Sequence, residues 1–292
     1  MKYILFLVIY AFLWSISILP FRVLYFLSNV VYFLLYKVIG YRVKTVRANL
    51  KLVFPELNDG ERKQIEKDFY IHLCDLFLEM VKTMTISVKE LNKRFVFENP
   101  ELIKEYEQKQ KSIILMLPHY ANWEWVIILG THLDFKGFGV YKKLANRYFD
   151  KLVRDIRSKF NAELISTHET TGIIRENQSK ELYGVYLFLS DQNPLIRPNL
   201  HWEKFMGVEV PVHMGAEALA RKLDMNILYL NVEKVKRGYY KASFSVITDD
   251  VKNEPKYKPT RMFFDKVEAQ IRKAPQYYFW THKRWKHKDQ KE

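Results

Sequence analysis

The sequence predicts an α/β protein: a mixed, largely parallel sheet flanked by helices, behind an amino-terminal membrane anchor helix or hairpin. Three patterns predict it. Residues 3–39 are apolar almost throughout, short apolar runs recur along the rest of the chain, and helical patterns separate those runs. Strands alternating with helices favour parallel pairing through helical crossovers. The 292 residues suffice for one large domain or two small ones. The division expected is an anchor over 1–40 and one globular domain over 41–292.

The anchor is read first. Residues 3–19 hold no charge, with Ser15 and Ser17 the polar exceptions, and a second apolar stretch over 23–39 is interrupted mainly by Ser28, Asn29 and Lys37. A span takes about 20 apolar residues, so the first stretch alone is marginal. A small-x-small cleavage site is missing and apolar residues continue past Pro20, which favours an uncleaved anchor over a signal peptide. A crossing, a hairpin, an interfacial segment and a pair of core helices stay open. Only Lys2 precedes the first stretch, whereas Arg42, Lys44, Arg47 and Lys51 follow the second. Positive flanks stay cytoplasmic, which puts the large domain on that side of the inner membrane.

Composition narrows the partners. Hydrophobic residues at 48%, with 20 Phe and 19 Tyr, build a packed core rather than a disordered chain. The formal charge of +14 seeks an anionic partner: nucleic acid, lipid head groups or an acidic protein. Basic residues are dispersed and no recognition motif appears, so a nucleic-acid partner is not expected. One cysteine, Cys74, excludes an intramolecular disulfide and a thiolate zinc cluster, and reads as a small buried hydrophobe. His168, His201 and His213 lack ligand-like spacing, so no metal is expected.

Within the domain, Ile65, Phe69, Leu73, Leu76 and Met80 recur at three- and four-residue steps, predicting one long helix over 61–84 with Asp59-Gly60 as its start. A shorter polar helix follows over 100–110. Residues 112–117 form a compact apolar run before Pro118, a buried strand. Further strands are expected at 138–141, 163–166, 185–190, 227–232 and 241–248. Helices are expected at 146–160, 170–178, 215–223 and 260–273. In such sheets reactive residues gather just beyond the carboxyl ends of strands.

The segment Leu117-Pro118-His119-Tyr120-Ala121-Asn122-Trp123-Glu124-Trp125 stands at one of those ends. Five residues apart in one helix, His119 and Glu124 would point about 140° away from each other. They meet only if His119 lies in the turn and Glu124 in the first turns of a following helix. The carboxylate would then fix the imidazole tautomer and leave the other nitrogen basic, the logic of a general base with its orienter. Alone, such a pair is common by chance, and a structural histidine near a surface glutamate is the ordinary reading. Trp123 and Trp125 read as packing or groove-lining residues.

That segment resembles the His-(four residues)-acid motif of the bacterial lipid A biosynthesis acyltransferase family. Further blocks agree in the family's order: residues 141–146 with Asp150 and Arg157-Ser158; Ser190-Asp191-Gln192 ending a strand; Phe205-Met206-Gly207 with the small-residue helix from Gly215; and the aromatic, basic tail 277–286. The resemblance runs from the anchor to about residue 288. It implies a fold similar to glycerolipid acyltransferases and an O-acyltransferase without cofactor. The donor would be acyl-carrier protein, occasionally a coenzyme A thioester, and the acceptor a hydroxyl of acylated glucosamine, a lipid A precursor. His119 would be the general base and Glu124 its orienter, with direct attack and no acyl-enzyme. Arg157, or an amide near the His119 turn, would stabilise the oxyanion, and Asn122, Asp191 and Gln192 are further substrate or oxyanion candidates. Asp191 has two readings: organising Arg157 or substrate, or capping the turn through Asn193-Pro194. Lys142, Lys143, Arg147 and Arg154 either meet phosphates or the acidic carrier, or form a solvated helix face. Arg147 stands where members often have proline and Lys283 where arginine is common, which leaves the acceptor open, aminoacyl lipids included. A lipid ester or thioester hydrolase would use the same pair, and a membrane-tethered nucleic-acid binder is the rival outside enzymes.

Overall fold

A computed structural model describes residues 2–196, 198 and 200–290. Its elements run, in order, as α1 (Lys2–Ser17), α2 (Phe21–Tyr32) continued by a π-helical turn (Phe33–Val38), α3 (Val43–Val53), α4 (Asp59–Lys82), α5 (Val88–Arg94), β1 (Phe95–Phe97), α6 (Pro100–Gln108) and β2 (Ile113–Leu117). A 3-10 helix (Trp125–Thr131) leads to β3 (Lys136–Tyr141), α7 (Arg147–Ser158), β4 (Ala162–Ser166), α8 (Thr170–Ser179) and β5 (Gly184–Leu189). Then come β6 (Trp202–Phe205), β7 (Val208–Pro211), α9 (Gly215–Leu223), β8 (Asn226–Lys236), β9 (Tyr239–Thr248), α10 (Lys258–Lys273) and a 3-10 turn (Pro275–Tyr277).

Seven strands form one sheet in the order β1-β9-β8-β2-β5-β3-β4. Every neighbouring pair is parallel except β8 and β9. The expected mixed, largely parallel sheet is therefore the one observed. Its antiparallel pair arises from a hairpin whose two-residue turn is Arg237-Gly238, with Gly238 at φ 74°. A Cβ at Gly238 would overlap the Tyr25 hydroxyl, so the turn is also where α2 sits against the sheet. β2 is buried at all five residues, as a central strand covered on both faces should be.

Helix α4 begins in a capping box. Asn58 Oδ1 accepts from the Glu61 N–H at 3.0 Å, and Glu61 Oε2 accepts from the Asn58 N–H at 2.8 Å. The cap is thus one residue before the expected Asp59-Gly60 signal. Cys74 is wholly buried in α4, as its small apolar character suggests, and burial pushes its thiol up to about 12. Among the described residues one helix, Phe21–Val38, is long and apolar enough to cross a membrane by length and composition. Four features were not anticipated: α3, α5, the short edge strand β1, and the separate β6–β7 hairpin.

The register of the central strands sets up the site. Leu117 of β2 pairs with Leu189 of β5. Two residues beyond each, at the same level and the same end of the sheet, come His119 and Asp191.

Candidate active site

His119 Nδ1 lies 2.7 Å from Asp191 Oδ1. The carboxylate is buried, while the imidazole side chain keeps 18% of its surface exposed. Burial alone would raise the Asp191 carboxyl. The charge of His119, their hydrogen bond and the amides of His119 and Asp191 outweigh it and hold the carboxyl below its usual range. With its proton on Nδ1 toward Asp191, His119 presents Nε2 as the basic nitrogen. The ring is packed edge-on by Trp123 at 5.3 Å between centroids and stacked by Phe279 at 6.2 Å.

The expected partner is elsewhere, which corrects the reading of Glu124 as the orienter of His119. Glu124 immediately precedes the 3-10 helix; its Oε2 accepts from Arg157 at 2.8 Å and its Oε1 from the Trp123 indole N–H at 3.2 Å. Ala121 explains the divergence. At φ 50° it sits in the left-handed region and turns the chain, so that His119 faces β5 and Glu124 faces α7. Such a conformation costs a non-glycine residue about 1–3 kcal/mol and must be over-determined by its surroundings. Here the Ala121 N–H donates to the Tyr277 carbonyl (2.9 Å), and the Ala121 carbonyl is 3.2 Å from His72 Nε2. The Phe279 N–H donates to the His119 carbonyl at 3.2 Å, so the tail is strapped across the turn on both sides.

Asn122 is likewise reassigned from substrate or oxyanion contact to support. It is fully buried, donating to Glu79 at 2.7 Å and accepting from the Trp125 N–H at 2.9 Å, which leaves its amide committed inside the fold. Glu79 also accepts from Tyr25 and Tyr240, each at 2.8 Å. Asp191 does not cap the turn at Asn193-Pro194. Asn193 instead donates to the Lys283 carbonyl and accepts from the buried Arg284, both at 2.7 Å. Gln192 lies half-buried beside Asp191, and none of the described hydrogen bonds uses its side chain.

Glu124 and Arg157 stand at a narrow, largely apolar slot of about 60 Å³, lined by Leu117, Trp123, Ile127, Gly130, Gly137, Gly139, Leu164, Leu187 and Leu189 among others. At about 30 Å³ per molecule that is room for about two waters, so a long chain needs the walls to part. The slot exists because β3 carries no side chain at Gly137 and Gly139, which share one face. Phe138 on the other face stacks on Tyr186 at 4.8 Å. At Gly139 a Cβ would approach Leu164 Cδ2 to 2.9 Å and Arg157 to 3.8 Å. A second, open cleft of about 480 Å³ at the start of α7 gathers Lys143, Arg147, Lys151 and Arg154 with Asp150 and Asp155. His201 stacks on Tyr257 at 3.8 Å, outside the site.

Two further imidazoles lie close to the pair, His72 buried and His282 half-buried. Burial, opposed by Asp191 and reinforced by Arg284, takes His282 down to about 4, and burial also lowers His72. These imidazoles are neutral when folded and protonate near 6.5 when unfolded. Their contribution to stability is therefore complete above about pH 6.5 and is lost as the pH falls toward 4, up to about 3 kcal/mol for His282. The depressed Asp191 acts in a lower window, below about 3.9. Melting temperature measured from pH 7.5 to 4 should fall steadily, and His282→Gln should flatten that slope; an unchanged slope contradicts the assignment.

A family model described as bacterial lipid A biosynthesis acyltransferase matches residues 1–287. A lipid A biosynthesis palmitoleoyltransferase of Escherichia coli (strain K12) is 23% identical over 280 residues, 94% of this chain and 88% of that protein. A lipid A biosynthesis lauroyltransferase of the same strain is 24% identical over 285 residues, 94% and 89% of the two chains.

Proposed function

We propose, given that this chain belongs to the bacterial lipid A biosynthesis acyltransferase family, that it moves a fatty acyl group from acyl-carrier protein to a hydroxyl of a lipid A precursor. The observation that carries this reading is the His119–Asp191 pair at the strand ends beside an apolar slot gated by Glu124 and Arg157. His119 Nε2 takes the proton of the acceptor hydroxyl as its oxygen attacks the thioester carbon. The tetrahedral oxyanion is met by Arg157, which Glu124 holds in place. Collapse expels the carrier's thiolate, which receives the proton from His119. Nothing is bonded to the enzyme at any point.

The relatives named above transfer palmitoleoyl and lauroyl groups, and the slot takes the donor's chain in the same way, with its end walls setting the length accepted. The basic cleft at the start of α7 meets acceptor phosphates or the acidic carrier. Residues 1–40 serve as the membrane anchor and 41–292 as the catalytic domain on the cytoplasmic side of the inner membrane.

Purified protein incubated with acyl-carrier-protein thioester and a lipid A precursor should add one acyl mass to the lipid, read by mass spectrometry. Free fatty acid without acylated lipid would select the hydrolase reading. Acylation of an aminoacyl lipid, but not of the glucosamine lipid, would overturn the acceptor assignment.

A further inference from the structure

The segment 2–39 has two unlike faces. Its inner face is tied to the domain by polar bonds. Tyr25 donates to Glu79 (2.8 Å), Ser28 to Asp75 (2.7 Å) and Tyr36 to Glu66 (2.6 Å), and all three carboxylates belong to α4 and are buried. Arg237, in the β8–β9 turn, reaches Asn29 Oδ1 at 2.8 Å and the Tyr25 carbonyl at 3.2 Å. These positions fall three, four and seven residues apart, so the polar stripe follows one side of α2 and its π-helical extension. The end of α1 is caught in the same manner: Lys82 donates to the Ser17 and Leu19 carbonyls at 2.7 and 2.8 Å. Further back, Phe6 of α1 packs against Tyr148 and Phe149 of α7 at 5.5 and 5.1 Å.

The outer face is the reverse. Ile4, Val8, Phe12, Phe26, Phe33 and Val38 are each more than half exposed, and exposed Arg22, Lys37, Arg42 and Lys44 border them. Large apolar side chains presented this way on a water-facing surface call for a cover.

We propose that α1 and α2 lie flat in one leaflet of the bilayer, outer faces among the acyl chains, and that neither crosses it. Length argues for this. Sixteen residues of α1 reach about 24 Å and the eighteen of Phe21–Val38 about 27 Å, against a hydrocarbon core of about 30 Å. Bonding argues more strongly. A crossing would lift α2 from α4, carry Ser28 and Asn29 into hydrocarbon, and leave Glu66, Asp75 and Glu79 without these partners. The flat seat keeps every one of those bonds and sets the border arginines and lysines against anionic head groups. A family that acylates a membrane lipid supplies the occupant: the bilayer holding the acceptor. The inference does not depend on which acyl group is moved or on the identity of the base.

The test uses single-cysteine forms of the full chain in a Cys74→Ala background, with a cysteine appended before Met1, at Arg22→Cys or at Lys288→Cys. Right-side-out and inverted membrane vesicles are treated with a membrane-impermeant maleimide, and detergent-solubilised samples serve as the labelling control. All three sites should react from the same face. Labelling of the first site only from the face opposite Lys288→Cys means a single crossing, and labelling of Arg22→Cys alone from the opposite face means a hairpin; either overturns the proposal. A fluorophore on Phe26→Cys should be quenched by a lipid carrying its quencher high on the acyl chain more than by one carrying it near the bilayer centre. Deeper quenching, or none, also overturns it.

Discussion

Asp191→Asn should lower the turnover of acyl transfer by about 10²–10⁴, close to the loss expected for His119→Ala, the usual scale for a positioned general base. The carboxylate accepts a hydrogen bond from the Nδ1–H of His119 at 2.7 Å. An amide in its place can offer its NH₂ to Nδ1 instead, which moves the imidazole proton to Nε2 and removes the basic lone pair. The double variant should be no worse than His119→Ala alone, because the two side chains act as one unit. Retention of most activity in Asp191→Asn, with the protein folded, would remove His119 as the base. Glu124→Gln supplies the contrast: it leaves the imidazole's partner in place and should spare the pH profile that Asp191→Asn shifts.

Arg157→Ala should cost about 10²–10³ in turnover, roughly 2.7–4 kcal/mol, the scale of one lost oxyanion donor. Glu124→Ala should cost less, since the guanidinium remains but is no longer fixed at 2.8 Å. Both side chains are partly exposed, at 26% and 22%, so the ion pair itself contributes only about 0–1 kcal/mol to folding. Melting temperatures of both variants should therefore stay near that of the parent while turnover falls. A large drop in melting temperature with catalysis preserved would make the pair structural. A double-mutant cycle should show strong coupling in turnover and little in stability.

The strands and long helices were legible because their apolar residues keep a period, and the family motifs lay in register along the chain. His119 was legible because a buried run ends at Pro118 just before it. Its partner was not, because local spacing points to Glu124, five residues away, whereas Asp191 is 72 residues away and arrives only through the Leu117–Leu189 register. A usable signal existed, since each of two apolar strands is followed two residues on by a polar group. Asn122 misled because a polar side chain near a reactive histidine looks like a ligand contact, and only burial reveals it as a brace. β1 has three residues, too short for any pattern, and charges interrupt β6. The antiparallel β8–β9 pair was written in Arg237-Gly238, a two-residue turn between β-rich runs.

The strap across the turn after β2 has a bearing on biosynthesis. Ala121 keeps its left-handed backbone with help from a carbonyl made about 160 residues later, at Tyr277. While the polypeptide is still being translated, His119 and the turn after it are made long before their clasp at Tyr277 and Phe279. The turn thus takes its final shape only after the aromatic tail has been made and laid across it.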